Sequence, residues 1–279
     1  MIPEVKLISA SDESDHDIIY DHKTVTMPNK HAFPTHTHDM CELLYFVSGE
    51  ASYYIEGNVY TLRAGDIVFI RSARHHMLVV NGGADYERYD VMFARTLIPD
   101  SLYEKTRECS EVISASGLIK ELFSAADEYY SSARFSKEEY RALLRSLILT
   151  VCCEFVRLAR KKEEVRGGEL SGGSTFHLAL MHINKNLSEI KSVESVCKSL
   201  YITKRYLHYL FKRNLGITPK KYITEKRLIW ARKEILGGRA PTEAYRIAGF
   251  TDYTSFYRNY KAHYGHAPSE EVVRHAVAE

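Results

Sequence analysis

The sequence predicts an α+β chain, in which a β-barrel of short strands with two following helices precedes an all-helical domain. Three observations lead there. Between Phe33 and Phe93, short apolar runs alternate with turn signals. Between Leu118 and Val156, apolar residues recur at helical spacing. Between Val193 and Pro268, one pattern occurs twice: Leu207, Phe211, Lys212, Gly216 and Pro219 return as Phe256, Tyr260, Lys261, Gly265 and Pro268, each 49 residues later. A repeat of that length marks a duplicated supersecondary unit.

Residues 1–30 are polar and weakly patterned, and read as a ragged strand followed by a loop. Strands are then expected at Glu42 to Val47, Ala51 to Ile55, Asn58 to Leu62, Asp66 to Ile70, His76 to Val80 and Tyr86 to Phe93. Turns are marked by Ser48-Gly49, Glu56-Gly57-Asn58, Ala64-Gly65 and Asn81-Gly82-Gly83. Many short strands at even spacing imply a barrel or sandwich. Leu118, Leu122, Phe123, Ala126, Tyr129 and Tyr130 then share one helical face; Tyr140, Leu143, Leu144, Leu147, Ile148, Val151, Cys152, Phe155 and Val156 form a wider one. Both faces suit a cover over the barrel, and the second also suits a dimer seam. The expected division is a barrel over 1–110, a helical packing and dimerisation segment over 111–162, a Gly-rich linker over 163–174 and a domain holding the two repeated units over 175–279.

Each repeat reads as a helix-turn-helix. Val193, Val196, Cys197 and Leu200 line a first helix, the turn falls near Tyr201 and Ile202, and Thr203 caps a second helix. In the later copy Ala244, Ile247 and Ala248 pack, Gly249 allows the turn, and Asp252 is the cap. A connecting helix from about Pro219 to Leu236 spans roughly 27 Å at 1.5 Å per residue. One turn of DNA is about 34 Å, so a rigid connector of this size suits two recognition helices in successive major-groove segments.

Charge supports that reading. The net charge of +2 hides an asymmetry: from Ser174 onward there are 18 Lys and Arg against 9 Asp and Glu, and before it 20 against 27. A basic carboxyl-terminal third is the footprint of a phosphate-binding surface. Thr203, Lys204, Arg205, Tyr206, His208, Tyr253, Thr254, Ser255 and Arg258 are the expected DNA-contacting residues, with Lys212, Lys220 and Lys261 on phosphates. Lys221, Lys226 and Arg227 add to the basic connector; Trp230, the single tryptophan, reads as packing. The bland alternative is a solvated charged face, but the basic residues recur in both copies.

The residues from Ser192 to Lys212, with Gly216 to Pro219, Arg227-Leu228, Ala231, Leu236, Gly249-Phe250, Phe256, Lys261 and Gly265 to Pro268, resemble the DNA-binding region of AraC/XylS-type transcription regulators. Tyr245 departs from the small residue usual at its place. Upstream, His36-Thr37-His38, Glu42 and Gly49 resemble the first motif of the cupin superfamily, and Gly65-Asp66 with His76 resembles the second. Arg71 and Ala73 replace the usual Pro and Gly, and Lys30 a usual Gly. The two resemblances together imply a regulator whose barrel senses a small molecule, with a sugar or sugar derivative as the expected effector. They also imply double-stranded DNA as partner, contact with RNA polymerase, activation of transcription and a homodimer.

The expected effector-binding residues are His36, His38, Glu42, Tyr45, His76, Arg88 and Tyr89; His75 reads as a loop histidine. The imidazoles and carboxylate are also metal-binding side chains. Three readings therefore stay open for the barrel: an effector pocket, a metal-dependent enzyme fused to a DNA-binding module, or a dimerisation barrel on a constitutive DNA binder. The first is adopted, with no cofactor and no enzymatic activity expected. Walker-type phosphate loops and G-x-S-x-G nucleophile motifs are absent from the sequence. Five cysteines in no paired or CxxC pattern, no signal-like start and no long apolar run imply a cytoplasmic protein with reduced thiols and no membrane span.

Overall fold

The computed structural model describes residues 4–10, 17–26, 31–33, 35–80, 85–132, 135–160 and 175–271. The main division between its two compact units falls between Gly168 and Glu169. The expected linker, the Asn81-Gly82-Gly83 turn and Lys30 lie outside the described residues.

Among the described residues the first unit has ten strands: β1 (Glu4–Ala10), β2 (Ile18–Thr26), β3 (His31–Ala32), β4 (Cys41–Ser48), β5 (Ala51–Ile55), β6 (Asn58–Leu62), β7 (Asp66–Ile70), β8 (His76–Val80), β9 (Asp85–Phe93) and β10 (Val112–Ser114). They form a six-stranded sheet in the order β1-β2-β9-β4-β7-β10 and a four-stranded sheet in the order β3-β8-β5-β6. The hairpin between β5 and β6 turns on Glu56 (φ 48°) and Gly57 (φ 86°), the two positive angles that a tight hairpin loop requires. Gly49 is fixed by space as well as by its φ of 104°: a Cβ there would lie 3.0 Å from the Asp85 carbonyl oxygen. Ala73, at the place where Gly is usual, adopts φ 65° and carries that strain itself.

The β2 strand corrects the expected ragged start. Its nine residues pair with β9 from Ile18↔Phe93 to Thr26↔Asp85, inside the larger sheet. Parity then divides the strands of that sheet. Leu44 and Phe46 of β4, Val25 of β2 and Tyr86 of β9 face the interior between the sheets, with Tyr53, Ile55, Tyr60, Leu62, Leu78 and Val80 opposite. Leu43, Tyr45, Tyr20, Tyr89 and Val91 face the other way.

That outer face is covered by helices. After a short helix α1 (Asp100–Thr106), α2 (Gly117–Ser132) contributes Ile119, Phe123 and Ala126, and α3 (Lys137–Arg160) contributes Leu144, Leu147, Ile148, Val151, Cys152, Phe155 and Leu158. The α2 face differs from the expected one, since Leu118, Tyr129 and Tyr130 are exposed. Most of the wide apolar face of α3 is spent on the sheet, so its width alone does not require a second chain.

The second unit contains α4 (Thr175–Lys185), α5 (Val193–Leu200), α6 (Lys204–Leu215), α7 (Pro219–Leu236), α8 (Pro241–Ile247) and α9 (Tyr253–Tyr264). Ser192, Thr203, Thr218 and Asp252 each accept the backbone N–H three residues on, capping α5, α6, α7 and α9. Two cores result. Phe176, Leu180, Ile183, Val196, Leu207, Phe211, Tyr222 and Ile223 belong to the first; Leu228, Ala231, Ile235, Ala244, Ala248, Phe256 and Tyr260 belong to the second. The connecting helix α7 supplies both cores, so it is a shared wall of the two helix-turn-helix units.

Candidate functional site

The turns set the recognition helices. Ile202 N–H donates to Cys197 O at 3.0 Å and Phe250 N–H to Tyr245 O at 2.9 Å, the same closing bond in both units. The left-handed residue just before each donor is Tyr201 (φ 54°) in the first and Gly249 (φ 89°) in the second. Tyr245 is accommodated beside this turn, its ring packing on Tyr253 and Phe256.

On α6, Leu207, Leu210, Phe211 and Leu215 are buried, while Arg205, Tyr206, Tyr209, Lys212 and Arg213 are exposed and His208 is half-buried. Lys204 turns toward α5, where its ammonium pairs with Glu194. Thr203 spends its hydroxyl on the cap. On α9, Phe256 and Tyr260 are buried, and Thr254, Arg258 and Lys261 are exposed. Tyr253 packs against the second core and Ser255 lies half-buried at the cap. Lys220 is exposed at the start of α7.

Two connector cations behave differently from expectation. Lys226 is buried with its ammonium 5.2 Å from the centre of the Tyr222 ring. Arg227 donates to the carbonyls of Leu187 and Ile190 in the loop before α5. Neither presents its charge outward as a phosphate ligand. Tyr209 and Arg213 are outward residues that sequence reasoning passed over; their helical offset from Arg205 and Lys212 was the available signal.

In the barrel, parity separates the expected effector residues into two groups. Glu42 lies between His38 and His76, with His38 Nε2 at 3.1 Å and His76 Nε2 at 3.3 Å from its Oε2. Tyr53 donates to its other oxygen at 2.9 Å. Arg88 and Asp90 share the interior face of β9 and pair at 3.2 Å; Arg88 also donates to Tyr86 at 3.0 Å. Exposed His36 offers a ring nitrogen that lies with those of His38 and His76 inside 4.8 Å. Tyr45 and Tyr89, by contrast, lie on the outer face, their rings 5.7 and 5.3 Å from that of Phe123 on α2. His75 is buried, and its backbone N–H donates to Glu56.

The electrostatics of the interior group are strongly perturbed. Burial would raise the Glu42 carboxyl, but His76 and His38 outweigh it and hold the group well below the ordinary carboxylate range. Burial likewise opposes charge on His38, yet Glu42 raises it above 6.5. Burial and the neighbouring Glu42 push Asp90 well above its ordinary value. His38 Nδ1 lies 2.9 Å from Met40 O, and His76 Nδ1 2.9 Å from Arg74 O. That leaves each Nε2 facing the carboxylate, where a proton or a cation must stand between lone pairs. The three imidazoles and the carboxylate fit the donor set of a divalent transition metal. Nearby, Arg88 Nε, Asp90 Oδ1 and Asp21 Oδ1 are buried without a hydrogen-bond partner among the described residues. Orphaned buried groups of this kind are costly.

Comparison with known proteins agrees with both halves. A helix-turn-helix domain family matches residues 196–272, and the cupin domain family matches residues 23–92. The HTH-type transcriptional activator RhaS of Yersinia pestis (strain Pestoides F) is 24% identical over 255 residues, covering 86% of this chain and 89% of that protein. RhaS of Escherichia fergusonii is 23% identical over 258 residues, covering 86% and 87%. Among solved structures, the AraC-like transcriptional activator CuxR is similar at 18% identity and a TM-score of 0.42, over 88% of this chain and 83% of that one. Within the described residues no helix is long and apolar enough to cross a membrane. The chain thus carries a cupin domain over residues 23–92 and, after it, a helix-turn-helix domain over residues 196–272 whose α6 and α9 expose basic side chains, and along most of its length it is similar to the RhaS transcriptional activators.

Proposed function

We propose that this regulator is a sequence-specific activator whose DNA affinity is set by a small molecule bound between the two sheets of the barrel. The observation that carries the effector half is the orphaned trio of Arg88 Nε, Asp90 Oδ1 and Asp21 Oδ1, beside Glu42 and Tyr53 on the interior face. A ligand with hydroxyl groups supplies donors to the carboxyl oxygens and an acceptor to Arg88, which favours a sugar or sugar derivative. Activation, by contact with RNA polymerase, rests on likeness to the RhaS proteins, which are named as activators. A homodimer is the expected state. Exposed Leu118, Tyr129, Tyr130, Phe135 and Leu149 of the α2–α3 layer favour that layer as the seam.

The ligand acts through its different affinity for DNA-competent and incompetent states of the chain. A thermal-shift screen of metal-stripped protein against sugars, sugar acids, aromatic acids and fatty acids tests this, because any ligand that binds only the native state raises its apparent stability. Stabilisation by one metabolite class, lost in Arg88→Gln, is the expected result. The proximity of His36, His38 and His76 favours a second reading, a metal in the barrel held by these imidazoles and Glu42. The bound ion would supply Lewis-acid chemistry. Stabilisation by metal alone, with metal retained through dialysis and lost in His38→Ala, would support that reading over the effector pocket.

A further inference from the structure

The outward side of α6 is centred on an aromatic ring. At 3.6 residues per turn, the side opposite buried Leu207, Leu210 and Phe211 is that of Arg205, Tyr209 and Lys212. Tyr209 is 52% exposed, and Tyr206, 43% exposed, stacks beside it with ring centroids 6.4 Å apart. Arg213 donates to the Tyr209 hydroxyl at 3.0 Å from the next turn. That bond restrains the ring and engages its polar end, leaving the apolar ring flanked by Arg205 and Lys212. The corresponding outward positions of α9 are Thr254, Arg258 and Lys261, with no exposed aromatic among them.

The major groove presents one apolar group on its base edges, the 5-methyl of thymine. We propose that Tyr209 reads a thymine in the half-site entered by α6, by packing its ring on that methyl group while Arg213 positions the ring. The inference rests on the reading of α6 as a DNA-contacting helix. Tyr209 is a specificity residue in this scheme, Arg213 a positioning residue, and the two half-sites differ in kind.

The test uses the full chain and an operator selected from random duplex DNA. Each thymine is then replaced singly by deoxyuridine, which removes only the methyl. The wild-type protein should lose about five- to tenfold in affinity at one position of the α6 half-site, and Tyr209→Phe, which keeps the ring but not the bond from Arg213, should lose less at the same position. Tyr209→Ala should bind the parent operator more weakly and show no further loss at that position. Arg213→Ala should reduce the methyl dependence without abolishing it. Thermal denaturation of each variant guards against a folding defect, which the exposure of both side chains makes unexpected. Insensitivity of the wild-type protein to every replacement would overturn the proposal, as would an equal loss in Tyr209→Ala. Failure to enrich any sequence would overturn the DNA-binding reading beneath it as well.

Discussion

Arg227 grips the carbonyl of Leu187 with two donors, Nε at 3.1 Å and Nη2 at 2.9 Å, from a helix that belongs to both cores of the reader. The same guanidinium reaches Ile190, so the loop leading into α5 is tied to α7. The turn of the second unit closes on that loop too: a Cβ on Gly249 would stand 2.7 Å from Ser188 Cα and 3.0 Å from Arg227 Nε. Three segments thus meet at one point, which fixes the spacing between α6 and α9.

Arg227→Ala should therefore weaken binding to a two-part operator more than binding to either half alone. Hydrogen bonds from a charged donor are worth about 1.5–3 kcal/mol, so a stability loss of that order should accompany it. Denaturant unfolding and titrations of whole and half operators measure the two effects.

Gly249→Ala and Tyr201→Gly should have opposite signs. Alanine at 249 meets backbone at 2.7 Å and a φ of 89°, so destabilisation of more than about 1 kcal/mol is expected. Tyr201 adopts φ 54° while 96% exposed, so glycine there relieves strain without removing packing. An increase of up to about 1 kcal/mol is expected, read by the unfolding midpoint.

His22 makes the barrel's helical cover sensitive to pH. It is buried under α2, with Nδ1 on Asp127, Nε2 2.9 Å from Glu87, and its ring stacked 3.8 Å from that of Tyr89. Tyr20 donates to the same Asp127, and Tyr140 of α3 lies within its electrostatic reach. Burial opposes charge on His22, but Asp127 and Glu87 outweigh it and raise its pKa above 6.5. The protonated form is thus favoured in the folded state. Its contribution is complete below 6.5 and is lost as pH rises through the folded value. The stability difference between wild type and His22→Gln should shrink as pH rises above 6.5, and the protection of α2 amides, corrected for the intrinsic exchange rate, should fall with it.

Glu111 accepts from Arg71 at 2.5 Å, Arg74 at 2.7 Å and Tyr60 at 2.7 Å, tying the β7–β8 loop to the segment before β10. Glu111→Gln leaves two guanidinium groups without their counter-charge and should cost about 3–5 kcal/mol. Tyr60→Phe keeps both ion pairs and should cost about 1 kcal/mol, because only one hydrogen bond goes. Urea denaturation of both variants makes the comparison.

The strands from β4 to β9 were legible because their apolar runs are short and bounded by residues such as Gly49, Gly57 and Gly65. The β2 strand was not, since Asp21 and Lys23 stand on its interior face and His22 on its outer one, so no clean alternation survives. Tyr45 shows how much parity carries: it is three residues from Glu42, an odd offset that places the two on opposite faces of β4. Tyr89 and Arg88 are neighbours and separate for the same reason. Lys226 and Arg227 misled because a charge in a helix reads as solvated, whereas a ring face and two backbone carbonyls take these two. Tyr209 carries no charge, so a search for basic residues on α6 passes it by although it stands one helical turn from Arg205. The caps Thr203 and Asp252 were legible, because each offers a side-chain acceptor where a helix begins.

The most direct test of a two-part reader is base-resolution footprinting of the full chain on a selected operator, with Arg205→Ala and Arg258→Ala proteins in parallel. The geometry predicts two contacted segments about one helical turn apart on one face of the duplex, with Arg205→Ala altering one segment and Arg258→Ala the other. A single contacted segment, or the same base pairs altered by both substitutions, would contradict it.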